Sequence, residues 1–163
     1  MDKIHQISAT HLAIEQIGEI IKKGIRLELS EDARQRIIRC RTYLDKKIME
    51  SETPIYGVTT GFGSLCKISI DKDSLSQLQK NLVMSHACGV GDRIPNEIVK
   101  IMLLLKIQSL SYGYSGCQLQ TVERLIDFFN NDIFPIVYMQ GSLGASGDLV
   151  PLAHLSLPLI GMG

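Results

Sequence analysis

Apolar side chains recur at helical spacing along most of this chain, and that period limits the available folds more than any other feature. Ile14, Ile17 and Ile21 share one face of a first helix, which Thr10 can cap and Gly24 can stop. Ser30 can cap a second, in which Ile37, Cys40, Leu44 and Ile48 fall at i, i+3, i+7 and i+11, ending before Pro54. Residues 55–70 break the period, with turn glycines at 57, 61 and 63. A third helix is expected from Asp71, with Leu75, Leu78 and Leu82 inward and Gly89 and Gly91 ending it. Pro95 fits the first position of a fourth, which runs to about Tyr112 and whose Ile-Met-Leu-Leu-Leu run implies burial on more than one side. A fifth covers 118–130, Phe134–Tyr138 reads as a strand, and a last helix starts near Asp148 and runs to the end. The expected fold class is mainly α with short irregular or β segments, in a single domain over residues 1–163.

Charge and cysteine usage narrow the partners. Lys+Arg and Asp+Glu both number 17, so the formal charge is zero and no basic field invites nucleic acid. Cys40, Cys66, Cys88 and Cys117 form no Cys-x-x-Cys pair, which suits reduced thiols in a cytoplasmic protein better than a disulfide framework or a metal site. The opening Met-Asp-Lys-Ile-His-Gln has no apolar run of the signal-peptide kind. The aliphatic run from 101 to 105 is far below the ~20 residues a membrane span needs. The runs Lys22-Lys23 and Lys46-Lys47 read as solvated helix faces, and His5 and His11 as surface residues.

The segment Gln140-Gly-Ser-Leu-Gly-Ala-Ser-Gly-Asp-Leu149 can make an electrophile out of main chain. No standard side chain is a strong one, so an enzyme needing an electrophile must bind it or build it. A tight bend can push the Gly147 nitrogen onto the Ala145 carbonyl carbon and close a five-membered ring. Loss of one water from that ring, and of the Ser146 hydroxyl as a second, leaves an exocyclic methylene conjugated to an imidazolone. Glycine suits the attacking position because it lacks a Cβ. The alternative is a Gly/Ser-rich turn at the head of the next helix, where the Asp148 carboxylate suits the free amides and the helix dipole. Gly144-Ala-Ser-Gly misses the Gly-x-Ser-x-Gly elbow of serine hydrolases by one residue. The 57–63 loop likewise lacks the Gly-Lys-Ser/Thr ending of a phosphate-binding loop.

Residues 140–154, Gln-Gly-Ser-Leu-Gly-Ala-Ser-Gly-Asp-Leu-Val-Pro-Leu-Ala-His, resemble the signature of the histidine and aromatic amino acid ammonia-lyases. Tyr56-Gly-Val-Thr-Thr-Gly-Phe-Gly63 resembles that family's tyrosine loop, and Asn81-Leu-Val-Met-Ser-His-Ala-Cys-Gly89 its substrate-reading segment. The likeness runs from about residue 8 to the last residue. It implies the N-terminal helical domain of the aspartase/fumarase-like superfamily. It further implies that Ala145, Ser146 and Gly147 form 4-methylidene-imidazol-5-one (MIO), that Tyr56 removes the substrate β-proton, and that His86 and Gly63 contact the substrate. The implied reaction is conversion of L-histidine to urocanate and ammonia by a homotetramer, with no metal.

Each of these residues also has a plainer reading. Tyr56 can be a loop aromatic that packs its ring, and a phenol is a weak base unless positive charge or hydrogen bonds assist it. A lone histidine on a helix, such as His86, is commonly a satisfied structural residue, and His154 reads that way too. Thr59-Thr60 stands where histidine-specific members show Asn-Thr, while Val-Thr-Thr also occurs in phenylalanine lyases. A tyrosine or phenylalanine ammonia-lyase, or an aminomutase using the same electrophile, therefore stays open, as does a non-catalytic helical interaction module. The apolar stretch 149–160 demands partners on all sides. Those can be another copy of this chain, or the rest of a longer lyase whose downstream tyrosine, arginine, asparagine and glutamate have no counterpart here. On the second reading these residues alone are inactive and their tripeptide remains uncyclised.

Overall fold

The expected helical period is realised in a computed structural model that describes residues 3–51, 53–142 and 147–163. The elements run β1 (Ile4–Ile7), α1 (Ile14–Lys23), β2 (Arg26–Leu29), α2 (Glu31–Glu50), α3 (Leu75–His86), β3 (Val90–Arg93), α4 (Asn96–Ser111), α5 (Leu119–Asn130), β4 (Tyr138–Gln140) and α6 (Val150–Ser156). They divide into two compact units, one of Met1–Leu44 with Pro95–Phe134 and one of Asp45–Ile94 with Pro135–Gly163. The fold class is mainly α, as the apolar spacing requires.

In the first unit β1 and β2 pair in parallel, with Ile4 opposite Arg26 and Ile7 opposite Leu29, so α1 is the crossover between them. Ile7 and Leu27 point into the core while Arg26 and Glu28 face outward, the alternation a half-buried strand needs. The Asn130 side chain accepts from Leu27 N–H at 2.8 Å and donates to its carbonyl at 2.9 Å, closing the outer edge of β2. Helix α4 buries Val99, Leu103, Leu104, Ile107 and Leu110, more than one face, as its aliphatic run predicts. It packs on α5 through Val122, Leu125 and Phe129. Ser30 caps α2 as expected, its Oγ receiving the Ala33 N–H at 3.3 Å.

Thr10 does not cap α1. That helix starts at Ile14, and Gln16 Oε1 receives the Ala13 N–H at 2.9 Å. The reason is Gln108, almost fully buried on α4, which donates to the carbonyls of Ser8 and Thr10 at 2.9 and 3.1 Å and holds that stretch out of the helix. Gly24 does stop α1, in the left-handed conformation at φ 58°. His5 is half-buried within β1, not a free surface residue, and burial lowers its pKa.

In the second unit the strand expected at Phe134–Tyr138 is displaced. Pro135 has no N–H to give a ladder, and the paired residues are instead Tyr138–Gln140, antiparallel to β3 with Val90 opposite Gln140. Helix α3 begins at Leu75, after a 3-10 turn over Lys72–Ser74, and not at Asp71. Its inward leucines are only half-buried, and none of its residues is fully covered within the unit. The last helix stops at Ser156, because Pro158 cannot donate to the His154 carbonyl. The chain tightens into a 3-10 turn over Leu157–Ile160, closed by Gly161 at φ 74°. The apolar α6 buries Val150, Ala153, His154 and Leu155, while Leu149 and Leu152 stay partly open. His154 is structural, as expected: its Nε2 receives the Gly89 N–H at 3.0 Å.

Candidate active site

The irregular stretch after α2 is a knot tied by its own threonines. Thr59 Oγ1 receives the Ile55 N–H at 2.8 Å and Thr60 Oγ1 the Gly57 N–H at 3.2 Å. Val58 and Thr59 return their N–H groups to the Ile55 carbonyl at 3.0 and 2.9 Å, and Thr60, fully buried, bridges to Ser69. Gly57 sits at φ 70°, and a Cβ there would lie 2.7 Å from the Phe62 ring. With hydroxyls and amides turned inward, the knot presents its two rings outward. Tyr56 is 61% exposed and Phe62 is 42% exposed. They meet edge-on with centroids 5.5 Å apart, and Tyr56 Oη receives the Gly63 N–H at 3.4 Å.

Opposite that knot, Gln79, Leu82, Val83 and His86 of α3 fall at i, i+3, i+4 and i+7 on a single face. Together with Tyr56, Phe62, Gly63 and Ser64, and with Leu149, Leu152, Ala153 and Ser156 at α6, they line a cleft of about 750 Å³. A cleft of that size admits an amino acid with room for further groups. The His86 ring meets Phe62 edge-on at 6.1 Å. Its Nδ1 lies 2.7 Å from the Leu82 carbonyl, an acceptor only, so Nδ1 carries the proton and donates. Ser85 donates to the same carbonyl at 3.0 Å. In the neutral ring Nε2 is thereby left as the acceptor.

Tyr56, Gly63 and His86 are thus brought to one cleft. Thr59 and Thr60 are not, since their hydroxyls serve the loop's own backbone and neither lines it. Ala145 and Ser146 lie outside the described residues. Gly147 is described at φ 88°, a conformation that favours glycine. Asp148 Oδ1 receives the Ser142 N–H at 3.1 Å and the Val150 N–H at 3.3 Å, so its carboxylate ties both shoulders of the tripeptide segment. Gly141 packs directly on that carboxylate, and a Cβ there would come within 2.1 Å of it. The sequence reading did not single out Phe62 or Gln79. For Gln79 the signal was available as the helical spacing 79, 82, 83, 86, but a polar residue on a helix reads first as solvated.

This chain belongs to the aromatic amino acid lyase family, whose model matches residues 12–163. It is 52% identical over 152 residues to the histidine ammonia-lyase of Deinococcus radiodurans, covering 93% of this chain and 29% of that protein. It is 46% identical over 153 residues to the histidine ammonia-lyase of Symbiobacterium thermophilum, covering 94% and 30%. Among solved structures, the ergothioneine-degrading ergothionase of Treponema denticola superposes with a TM-score of 0.91 at 28% identity, covering 98% of this chain and 32% of that one. The chain therefore spans about 30% of the length of the curated relatives it matches.

Proposed function

We propose that this chain is the amino-terminal domain of a histidine ammonia-lyase, a carbon–nitrogen lyase that releases ammonia from L-histidine to give urocanate. The observation that carries the reading is the convergence of Tyr56, Gly63 and His86 on one cleft beside the helix that Asp148 heads. The relatives named above, both histidine ammonia-lyases, support the substrate.

Eliminating ammonia from an α-amino acid is hard because the amine leaves poorly and the β-proton is barely acidic. The residues around Ala145-Ser146-Gly147 fit the MIO group: Gly147 has a backbone only glycine readily adopts, and the Asp148 carboxylate receives the flanking Ser142 and Val150 N–H groups. Ala145, Ser146 and Gly147 would carry that group, which would supply an electrophilic carbon able to activate the substrate amine as a leaving group. Tyr56 is the base for the β-proton, held at the mouth of the cleft by its ring contact with Phe62 and by the Gly63 N–H. His86 offers Nε2 as an acceptor to a hydrogen-bond donor on the substrate side chain, such as an imidazole N–H. Leu82, Val83, Leu149 and Leu152 exclude water from the apolar part of the ring.

A phenol O–H can satisfy the same acceptor, so a tyrosine lyase or aminomutase is the second reading; an unsubstituted phenyl ring cannot. The family's remaining residues come from downstream sequence and neighbouring subunits of a homotetramer, so the 163 residues alone are inactive. The full-length protein, assayed with histidine, tyrosine and phenylalanine, tests the proposal. Urocanate formation that disappears in Ser146→Ala is expected. Undiminished turnover in that variant sinks it.

A further inference from the structure

Within the proposed lyase reading, on which this inference rests, the base must be placed with respect to the group that reads the side chain. The threonine bonds of the 55–60 knot are internal, so they set its shape and not its position over α3. Beside the edge-on contact of Phe62 with His86, a hydrogen-bonded tie to α3 runs through Gln79. Its Nε2 donates to the Gly57 carbonyl at 3.2 Å and approaches the Val58 carbonyl at 3.5 Å as a weaker second acceptor. Gly57 directly follows Tyr56, so the bonded carbonyl sits one residue from the phenol's own backbone. Gln79 also precedes His86 by seven residues, two helical turns on the same face. One side chain therefore links the Tyr56 backbone to the helix that carries the His86 ring.

We propose that Gln79 is a positioning residue for the Tyr56 base, holding the 55–63 loop over α3 so that phenol and imidazole address one substrate together. The amide suits the task because it brings two N–H donors to two neighbouring carbonyls, which no carboxylate can do. Its bonds are exposed and neutral, so the loop is held yet able to release. A proton transfer is sensitive to such placement: a displacement of about 1 Å costs on the order of 100-fold in rate.

The test uses the full-length protein with histidine as substrate and reads hydrogen exchange and steady-state kinetics in parallel. Gln79→Leu, and the isosteric Gln79→Glu that cannot donate when ionised, should speed exchange across residues 55–65 and leave α4 and α5 unchanged. Both should lower kcat by about 10- to 100-fold, with KM changed by less than about threefold. Gln79→Lys, whose ammonium can donate to the same carbonyls, should recover a substantial part of both. Gln77→Leu, two residues away and bonded to Asn81, should change neither. Faster exchange with unchanged kcat in Gln79→Leu overturns the positioning role and leaves the proposed lyase intact. Unchanged exchange overturns the tie itself. A full-length protein that deaminates none of the three amino acids overturns the lyase reading and with it the catalytic half, while exchange still reports on the tie.

Discussion

Gly89 gives its backbone N–H to His154 Nε2 at 3.0 Å, and the Tyr138 ring meets the same imidazole edge-on at 5.3 Å. His154 is 7% exposed. An accepting Nε2 carries no proton, so this bond exists only with the neutral ring, and burial lowers the His154 pKa. A lowered folded-state value means that the unfolded chain binds more protons. Stability is then full above the unfolded value of about 6.5 and falls as pH drops through it toward the folded value. His5 shifts in the same direction for the same reason and adds to the slope. Urea midpoints measured from about pH 7.5 down to about pH 5.5 should therefore decline. His154→Gln, which keeps an acceptor but cannot titrate, should flatten that decline in part. An equal decline in the variant refutes the linkage.

Two glycines of the first unit make opposite predictions. Gly113 ends α4 at φ 73°, and a Cβ there would lie 2.7 Å from Arg36 Cβ and 2.8 Å from the Arg36 carbonyl carbon. A backbone atom of α2 cannot step aside as a flexible side chain can. Gly113→Ala should cost at least about 2 kcal/mol through left-handed strain and overpacking. Gly18 lies inside α1 with nothing within 4 Å of its would-be Cβ. Gly18→Ala should stabilise by about 0.5–1 kcal/mol through helix propensity. Chemical denaturation of both variants decides the matter, and a stabilising Gly113→Ala would show that neither left-handed strain nor the approach to Arg36 governs this position.

These contrasts mark what the sequence makes legible. Helices were readable wherever a cap and an apolar period coincide, as at Ser30 with Ile37 and at Gly24 after Ile21. The parallel pair β1 and β2 was not, because Ile-His-Gln-Ile and Arg-Leu-Glu-Leu are four-residue strings too short to declare a period, and the edge of β2 is closed by Asn130, 103 residues from Leu27. β3, Val-Gly-Asp-Arg, has no apolar alternation to reveal it. The Thr10 cap failed for a similar reason, since the competing donor is Gln108 on another helix. Tyr56 and His86 stand out in the sequence because their motifs are distinctive, and both line the cleft. Thr59 does not line the cleft, and its hydroxyl receives the Ile55 N–H, a placement that the motif alone does not reveal.

Asp148 yields a prediction about maturation. Its Oδ1 holds Ser142 on one side of the tripeptide segment and Val150 on the other, and Gly141 lies against it with no room for a methyl group. Asp148→Ala removes both bonds and should cost about 1–2 kcal/mol. Gly141→Ala should resemble it, because a Cβ 2.1 Å from the carboxylate oxygen must displace it. In the full-length protein, loosening the shoulders should also reduce the fraction whose intact mass is lower by two water molecules. Asp148→Asn, keeping one acceptor oxygen, should fall between. Full dehydration in Asp148→Ala would show that the carboxylate braces the fold and not the ring closure.

His86 yields the sharpest statement about the substrate. Because Nδ1 donates to the Leu82 carbonyl at 2.7 Å, Nε2 of the neutral ring is the acceptor, and on the proposed reading a substrate with a side-chain donor satisfies it. A site built around such a bond rejects a substrate lacking the donor, since a polar group then stays unpaired. His86→Leu removes that penalty and extends the apolar wall of Leu82, Val83 and Leu152. In the full-length enzyme, kcat/KM for histidine should fall by about 100-fold or more, while phenylalanine, which offers only an apolar ring, should gain relative to it. His86→Gln keeps an acceptor and should retain more of the histidine preference than leucine does. If leucine and glutamine reduce histidine and phenylalanine turnover alike, His86 supports the cleft without reading the side chain, and the choice of substrate must be made from another wall.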